Sequence, residues 1–207
     1  MLAELRDVLN DSSVAGAWAD TRLLGYLSEG QDKFCEDTGY FGDIANYSLT
    51  LATGVAVYAV PARAIQIIDI WDGTRRLGKV LTGEAVAQDS APGRPTHWQT
   101  DQTTGFIKLT PTPTTTENGI VLPLHVWRYS LVDLIDGEPE IPGRFRRACI
   151  EWAAYKAFMH HDAEAQDPVK AADHLAAYRS YTADGVRALR RAHGLETFVS
   201  TDPAYRT

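Results

Sequence analysis

The sequence predicts an α+β protein, a helical bundle made of N- and C-terminal helices with an inserted antiparallel β domain. Apolar residues recur at three- and four-residue spacing near both ends of the chain, which is typical of amphipathic helices. Residues 48–131 instead alternate in short runs separated by turn residues, which is typical of strands. The predicted segments are 1–46 (N-terminal helices), 47–132 (inserted β domain), 133–194 (C-terminal helical hairpin) and 195–207 (extended C-terminal tail).

Two helices are predicted before the β domain. Leu2, Leu5 and Leu9 mark a short first helix that ends at Asn10-Asp11, and a loop over residues 12–17 follows. The second helix begins at Asp20, because an apolar period starts directly behind it, and stops near Thr38-Gly39. Its periodic positions are Leu23, Leu24, Leu27, Gln31, Phe34 and Cys35.

The middle of the chain predicts six or seven short strands, folded as a sandwich or an open barrel. Two alternating runs around Thr53-Gly54 predict a β-hairpin over residues 48–60. Further strands are predicted at 65–71, 78–81, 96–99, 106–110 and 120–131. Residues 82–89 predict a short helix, 90–95 a loop, and the Thr/Pro-rich stretch 111–119 a long turn.

The C-terminal hairpin is predicted from two helical patterns joined at Asp167-Pro168, which reads as an N-cap followed by the first helical residue. Pro142 is expected in the first turn of the first helix, and Gly194 is expected to cap the second. The first helix carries an apolar stripe of Phe145, Ala148, Cys149, Trp152, Tyr155 and Met159. The second carries a face of Ala172, Leu175, Tyr178, Thr182, Val186 and Leu189.

Composition narrows the class of protein. The chain has 207 residues, is 44% hydrophobic and can bury a substantial core. No secretory signal or membrane-spanning apolar run is evident, so a soluble protein is expected. The net charge of −7 argues against nonspecific binding of DNA phosphates over the whole surface. Cys35 and Cys149 both lie in helical stripes, which predicts buried, inert thiols.

No catalytic or cofactor motif is found, so we expect no enzyme activity, no catalytic residues and no cofactor. One cluster, at His160, His161 and Glu164, has residue types that bind divalent metals, and His160 and Glu164 are four residues apart. Adjacent histidines point in different directions on a helix, however. A solvated corner between helices is the preferred interpretation, and no metal site is predicted.

A basic cluster stands at the start of the first C-terminal helix, where the helix macrodipole disfavours positive charge. Its members are Arg144, Arg146 and Arg147, and Glu138 and Glu140 lie just before it. These five charges are candidates for a subunit interface, in which the acidic residues or a neighbouring chain would compensate the arginines. A solvated basic face is the alternative.

The segment after Gly194 has no periodicity but contains Phe198, Val199 and Tyr205. A frayed tail would explain the lack of periodicity. An apolar segment without a fold of its own is also typical of one that becomes ordered on a partner.

The order of these elements resembles the head-to-tail adaptor (connector) proteins of tailed bacteriophages, from residue 1 to about residue 192. The matching stretches are the Leu-rich first helix ending at Asn10-Asp11, 18–31 at the second helix, 49–61, 93–98 and 107–113 in the β region, 138–142, and the joint at 167–172. Each stretch is a packing or turn signal, and their shared order carries the resemblance.

The resemblance implies a structural subunit of the virion neck that is present in the host cytoplasm during assembly. Such adaptors form a ring, usually dodecameric, beneath the portal protein, and extend the DNA channel toward a stopper or tail protein. Genomic DNA would pass through the lumen without specific binding, and no membrane is involved. The resemblance also suggests the C-terminal segment as an arm that docks on the portal through Phe198, Val199 and Tyr205.

Three other functions remain open. A stopper or tail-completion protein shares the same stacking logic. A DNA-binding regulator would use the clusters Arg144, Arg146, Arg147 and Arg187, Arg190, Arg191. A metal-dependent enzyme would be centred on His160, His161 and Glu164.

Overall fold

A computed structural model describes residues 1–11, 18–81, 91–101, 105–134, 137–160 and 166–192. The chain forms two compact units. The first combines Met1–Tyr40 with the described residues from Ile141 onwards, and the second comprises Phe41–Glu140. The fold class is therefore α+β as predicted, with terminal helices that pack together and β-sheets in the middle of the chain.

The described residues of the helical unit form four α-helices: α1 (Leu2–Leu9), α2 (Asp20–Thr38), α3 (Arg146–Phe158) and α4 (Pro168–Ala192). Their ends are determined by local chemistry. Asn10 and Gly39 adopt left-handed conformations, with φ of 53° and 62°, and close α1 and α2. At the start of α4, the Lys170 N–H donates to Asp167 Oδ1 over 3.0 Å, so the predicted N-cap is confirmed. The predicted cap Gly194 lies outside the described residues.

Helix α3 is the central element, because α1, α2 and α4 all pack against it. Its buried residues include Ala148, Cys149, Ala153, Ala154 and Ala157, so small side chains allow close approach from more than one side. The predicted apolar stripe is therefore only partly right. Trp152 and Tyr155 are half-buried, and Met159 is exposed.

Two smaller predictions about the C-terminal helices are also corrected. Pro142 lies just before a 3₁₀ turn, Gly143–Phe145, instead of in the first turn of α3. In α4 the fully buried positions are Ala171, Tyr178 and Gly185, seven residues apart, while Ala172 is exposed. The buried face is thus rotated from the predicted one, because tertiary contacts decide which side of a weakly amphipathic helix faces inward.

In the part of the β unit that the structure describes there are nine strands: β1 (Phe41–Asp43), β2 (Ser48–Thr50), β3 (Val57–Ala59), β4 (Ala64–Asp72), β5 (Arg75–Arg76), β6 (Gly78–Lys79), β7 (His97–Asp101), β8 (Phe106–Thr110) and β9 (Val121–Arg128). One sheet has the order β1-β9-β4-β5, with β2 also paired to β9, and the other has the order β3-β8-β7-β6. Side chains from both sheets form one core, which includes Ile67, Trp98, Ile107 and Leu124. This is the arrangement expected of a sandwich.

The predicted hairpin over residues 48–60 is wrong. Strand β2 pairs with β9 and strand β3 pairs with β8, so the turn at Thr53-Gly54 carries the chain from one sheet to the other. The turn chemistry was recognised correctly, since Gly54 has φ of 73°. A second difference is that β6 and β7 pair in parallel, in a sheet predicted to be antiparallel. The predicted loop 12–17 and helix 82–89 lie outside the described residues.

Candidate functional site

The basic cluster before and within the first turn of α3 is held by contacts of three different kinds. The exposed Arg144 guanidinium lies 4.7 Å from the centre of the Phe145 ring and is 3.3 Å from the Tyr40 hydroxyl. Arg146 Nε donates to the Ile141 carbonyl over 3.2 Å. Arg147 Nε donates to Glu151 Oε1 over 2.6 Å. The acidic partner of Arg147 is therefore on the same helix, four residues further on.

Glu151 is itself a buried carboxylate with two partners. It is 5% exposed, and its second oxygen lies 2.6 Å from His174 Nδ1 on α4. The His174 ring also stacks on Phe158, with ring planes 7° apart. Arg147 and His174 thus satisfy a charge that would be costly to bury alone.

Glu140 belongs to a network in the β unit that centres on Arg128. Arg128 Nε donates to Asp43 Oδ2 over 2.8 Å, and Nη2 donates to Glu140 Oε1 over 2.5 Å. Glu140 Oε2 also accepts hydrogen bonds from the Ser130 hydroxyl and the Leu131 N–H. Asp43 and Glu140 lie close to the two points where the chain crosses between the units, so Arg128 joins the entering segment to the leaving one.

The charges of this network are stabilised by direct contacts. Burial raises the pKa of Asp43, but hydrogen bonds from the Asn46 side chain and from the N–H groups of Asn46 and Ala45, with Arg128, outweigh it and lower the pKa to about 2. The hydrogen bond from Arg128 lowers the pKa of Glu140, against the effect of burial. Both groups are therefore ionised at neutral pH.

Sequence reasoning did not find Arg128, although a signal existed. Leu122, Leu124 and Val126 alternate as the buried residues of β9, and Arg128 occupies the next inward position. An arginine on the buried face of a strand needs an acidic partner. The partners could not be named from sequence, because Asp43 is 85 residues away.

A second charged network fastens the loop around residues 94–95 to the end of β4. Asp72 is 8% exposed, and its two oxygens accept hydrogen bonds from Arg94 over 2.6 and 2.7 Å. Arg75 donates both to Asp72 and to the Pro95 carbonyl. The hydrogen bond from Arg94 lowers the pKa of Asp72, against the effect of burial.

The structure describes only part of the other candidate sites. His160 packs edge-on against Trp18 at 5.3 Å, while His161 and Glu164 lie outside the described residues. Within the described ranges no group of three or more metal-ligating side chains occurs. Cys35 and Cys149 are buried and form no disulfide, and burial raises the pKa of Cys149 to about 12. Phe198, Val199 and Tyr205 also lie outside the described residues, and Glu138 is exposed.

None of the described helices has a stretch long and apolar enough to cross a membrane. A helical unit and a two-sheet β unit with buried charged networks define an α+β protein. Compared with known protein families, the chain matches the SU10 adaptor protein over residues 1–199. The chain therefore belongs to this family of phage adaptor proteins. No curated protein matches it significantly.

Proposed function

We propose that the chain is a subunit of an adaptor ring that docks beneath the portal of a tailed phage and extends the DNA channel toward the stopper or tail. The ring is expected to be dodecameric. The observation that carries this proposal is the family match, which spans residues 1–199 of a 207-residue chain. The neck of the virion is then the site of action, after assembly in the host cytoplasm.

The charge of the chain supports a passive channel. The net charge of −7 repels phosphates at long range, so DNA can move through a lumen without being held. A protein that grips DNA instead neutralises phosphates with several lysines or arginines, and its affinity then falls steeply with salt. In the basic cluster at α3, the Arg147 charge is already compensated by Glu151.

The predicted interface charges divide into two groups in this proposal. Arg144, Arg147 and Glu138 are exposed, and we assign them to contacts with neighbouring subunits or with the next ring. Arg146 and Glu140 hold the subunit's own structure through the Ile141 carbonyl and Arg128, so they act on such contacts indirectly.

The C-terminal segment 195–207 is proposed as the portal-docking arm. Ordering this segment costs conformational entropy, which Phe198, Val199 and Tyr205 would offset at roughly 1.5–3 kcal/mol per fully buried side chain. A chain truncated after Gly194 should keep the melting transition of the full chain and lose assembly on the portal. Normal assembly and a normal yield of completed heads from the truncated chain would disprove the docking arm.

Imaging of the purified protein mixed with its portal tests the main proposal. A ring on the tail-facing side of the portal is the expected result. Binding only to a portal that already carries another ring would identify a stopper or tail-completion protein. No portal binding, together with a strongly salt-dependent affinity for free duplex DNA, would favour a DNA-binding regulator.

A further inference from the structure

The helical unit is electrically polarised. Residues 1–40 contain eight acidic and three basic side chains. The described residues of the C-terminal helices, 141–160 and 166–192, contain nine basic and four acidic side chains. The N-terminal helices are therefore acidic and the described C-terminal helices basic, while residues 141–207 as a whole contain ten basic and eight acidic side chains.

The basic charge is concentrated on an exposed side of α4. Arg179, Arg187 and Arg190 are all exposed, and their spacing of eight and three residues places them within a narrow arc of the helix. The buried positions of α4, Ala171, Tyr178 and Gly185, lie on a different side. We call the three arginines the α4 basic face.

The acidic counterpart lies on α2. Glu29, Asp32 and Glu36 are spaced three and four residues apart and lie opposite the buried Leu27 and Phe34. We call them the α2 acidic face. Its present partners are surface ion pairs, Glu29 with Lys156 at 2.9 Å and Glu36 with Lys33 at 3.0 Å. Such exposed pairs contribute little stability, so exchanging them for an interface costs little.

The two faces cannot meet within one subunit. Helices α2 and α4 do touch, but through other residues: the Tyr178 hydroxyl donates to Asp37 over 2.7 Å, and an added Cβ at Gly185 would lie 2.8 Å from the Phe34 ring. Glu29, Glu36 and the three arginines are exposed and Asp32 is half-buried, so both charged faces lie away from this contact. Opposite charges on two separate surfaces of one chain are complementary between copies.

We propose that the α2 acidic face of one copy binds the α4 basic face of the next copy. A two-fold symmetric contact through either face alone would oppose like charges, whereas a head-to-tail contact pairs unlike charges and can be repeated until a ring closes. This contact rests on the proposed ring, for which it supplies the subunit interface, and it can be tested without the portal.

The test uses two charge-reversed proteins and sedimentation at low and high salt. One protein carries Glu29→Lys and Glu36→Lys, and the other carries Arg179→Glu and Arg190→Glu. The exposed Lys108 of β8 supplies the control, because Lys108→Glu changes charge in the β unit instead. Thermal melting checks folding, and the neutral pair Glu29→Gln and Glu36→Gln replaces the first protein if that one is unfolded.

We expect the unaltered chain to self-associate at low salt and high concentration and to dissociate as salt rises. Each reversed protein alone should associate at least about tenfold more weakly than the unaltered chain, while Lys108→Glu should have little effect. An equimolar mixture of the two reversed proteins should regain association, because every contact in an alternating array again pairs unlike charges. The neutral protein, with Glu29→Gln and Glu36→Gln, should also associate more weakly than the unaltered chain.

Three results would overturn the contact: no self-association of the unaltered chain at low salt, no effect of either reversal, or no recovery in the mixture. The same experiments distinguish failure of this contact from failure of the proposed adaptor function. Salt-sensitive, face-dependent self-association without portal binding would keep the contact and refute the adaptor ring. A normal ring on the portal from either reversed protein alone would keep the ring and refute the contact.

Discussion

Two glycines in α2 should respond in opposite directions to the same substitution. An added Cβ at Gly30 would lie 2.9 Å from the Cys149 carbonyl oxygen and 3.2 Å from the Trp152 Cβ. An added Cβ at Gly25 would have no neighbour within 4 Å. Gly30 is therefore the point of close approach between α2 and α3, while Gly25 is a glycine in a helix without a packing reason.

The expected magnitudes follow from two opposing effects. Replacing glycine by alanine inside a helix gains up to about 1 kcal/mol, because glycine loses more backbone freedom on folding. At Gly30 the new methyl group meets a backbone oxygen that cannot rotate away, and overpacking costs about 1–3 kcal/mol. Gly25→Ala should therefore stabilise the protein and Gly30→Ala should destabilise it, with a difference of about 1–3 kcal/mol between them.

Chemical unfolding followed by circular dichroism of the helices measures this difference directly. Gly25→Ala is the matched control, since it has the same gain in helix propensity in the same helix. The comparison needs no absolute value for that propensity, because the gain cancels between the two variants. Equal stability of the two alanine variants would show that α2 and α3 do not approach each other at Gly30, and would refute the packing described for the helical unit.

Four further predictions concern the core, the charged network around Arg128, the pH dependence of stability and the free protein. Trp152→Ala should cost about 2 kcal/mol by equilibrium unfolding, because this ring is half-buried against Tyr155 and Tyr178. A fully buried tryptophan would cost roughly 3–5 kcal/mol. A change near zero would place Trp152 on the surface. Arg128→Met should cost about 3–5 kcal/mol, since it leaves two carboxylates without their cation, and an unchanged stability would rule out the network. The pKa of Asp43, lowered from 3.8 to about 2, contributes about 2 kcal/mol above pH 4, and acid titration should show this stability being lost as pH falls from about 4 to 2. At moderate salt, where screening weakens the contact between copies, the net charge of −7 should leave the isolated subunit mostly monomeric in sedimentation, and a stable closed ring without portal would refute a templated assembly.

The sequence by itself determined the features that depend on neighbouring residues. Asn10, Gly39 and the pair Asp167-Pro168 mark helix ends because a cap needs only one side chain or one left-handed residue at the right position. The separation into terminal helices and central strands was also predicted correctly, since the periods of 3.6 and 2 residues are local properties of the chain. The order of these elements along the chain was enough to identify the family, which the match over residues 1–199 confirms.

The tertiary structure alone decided which elements meet. Turn chemistry at Gly54 predicted a reversal of the chain but could not say that β2 would pair with β9 and β3 with β8, because strand pairing depends on segments distant in sequence. The same holds for Arg128, whose acidic partners come from both ends of the β unit. It also holds for Gly30, which is an ordinary residue of α2 until α3 packs against it. Secondary structure and helix ends depend mainly on neighbouring residues, whereas tertiary contacts depend on residues far apart in the chain and are seen only in the folded structure.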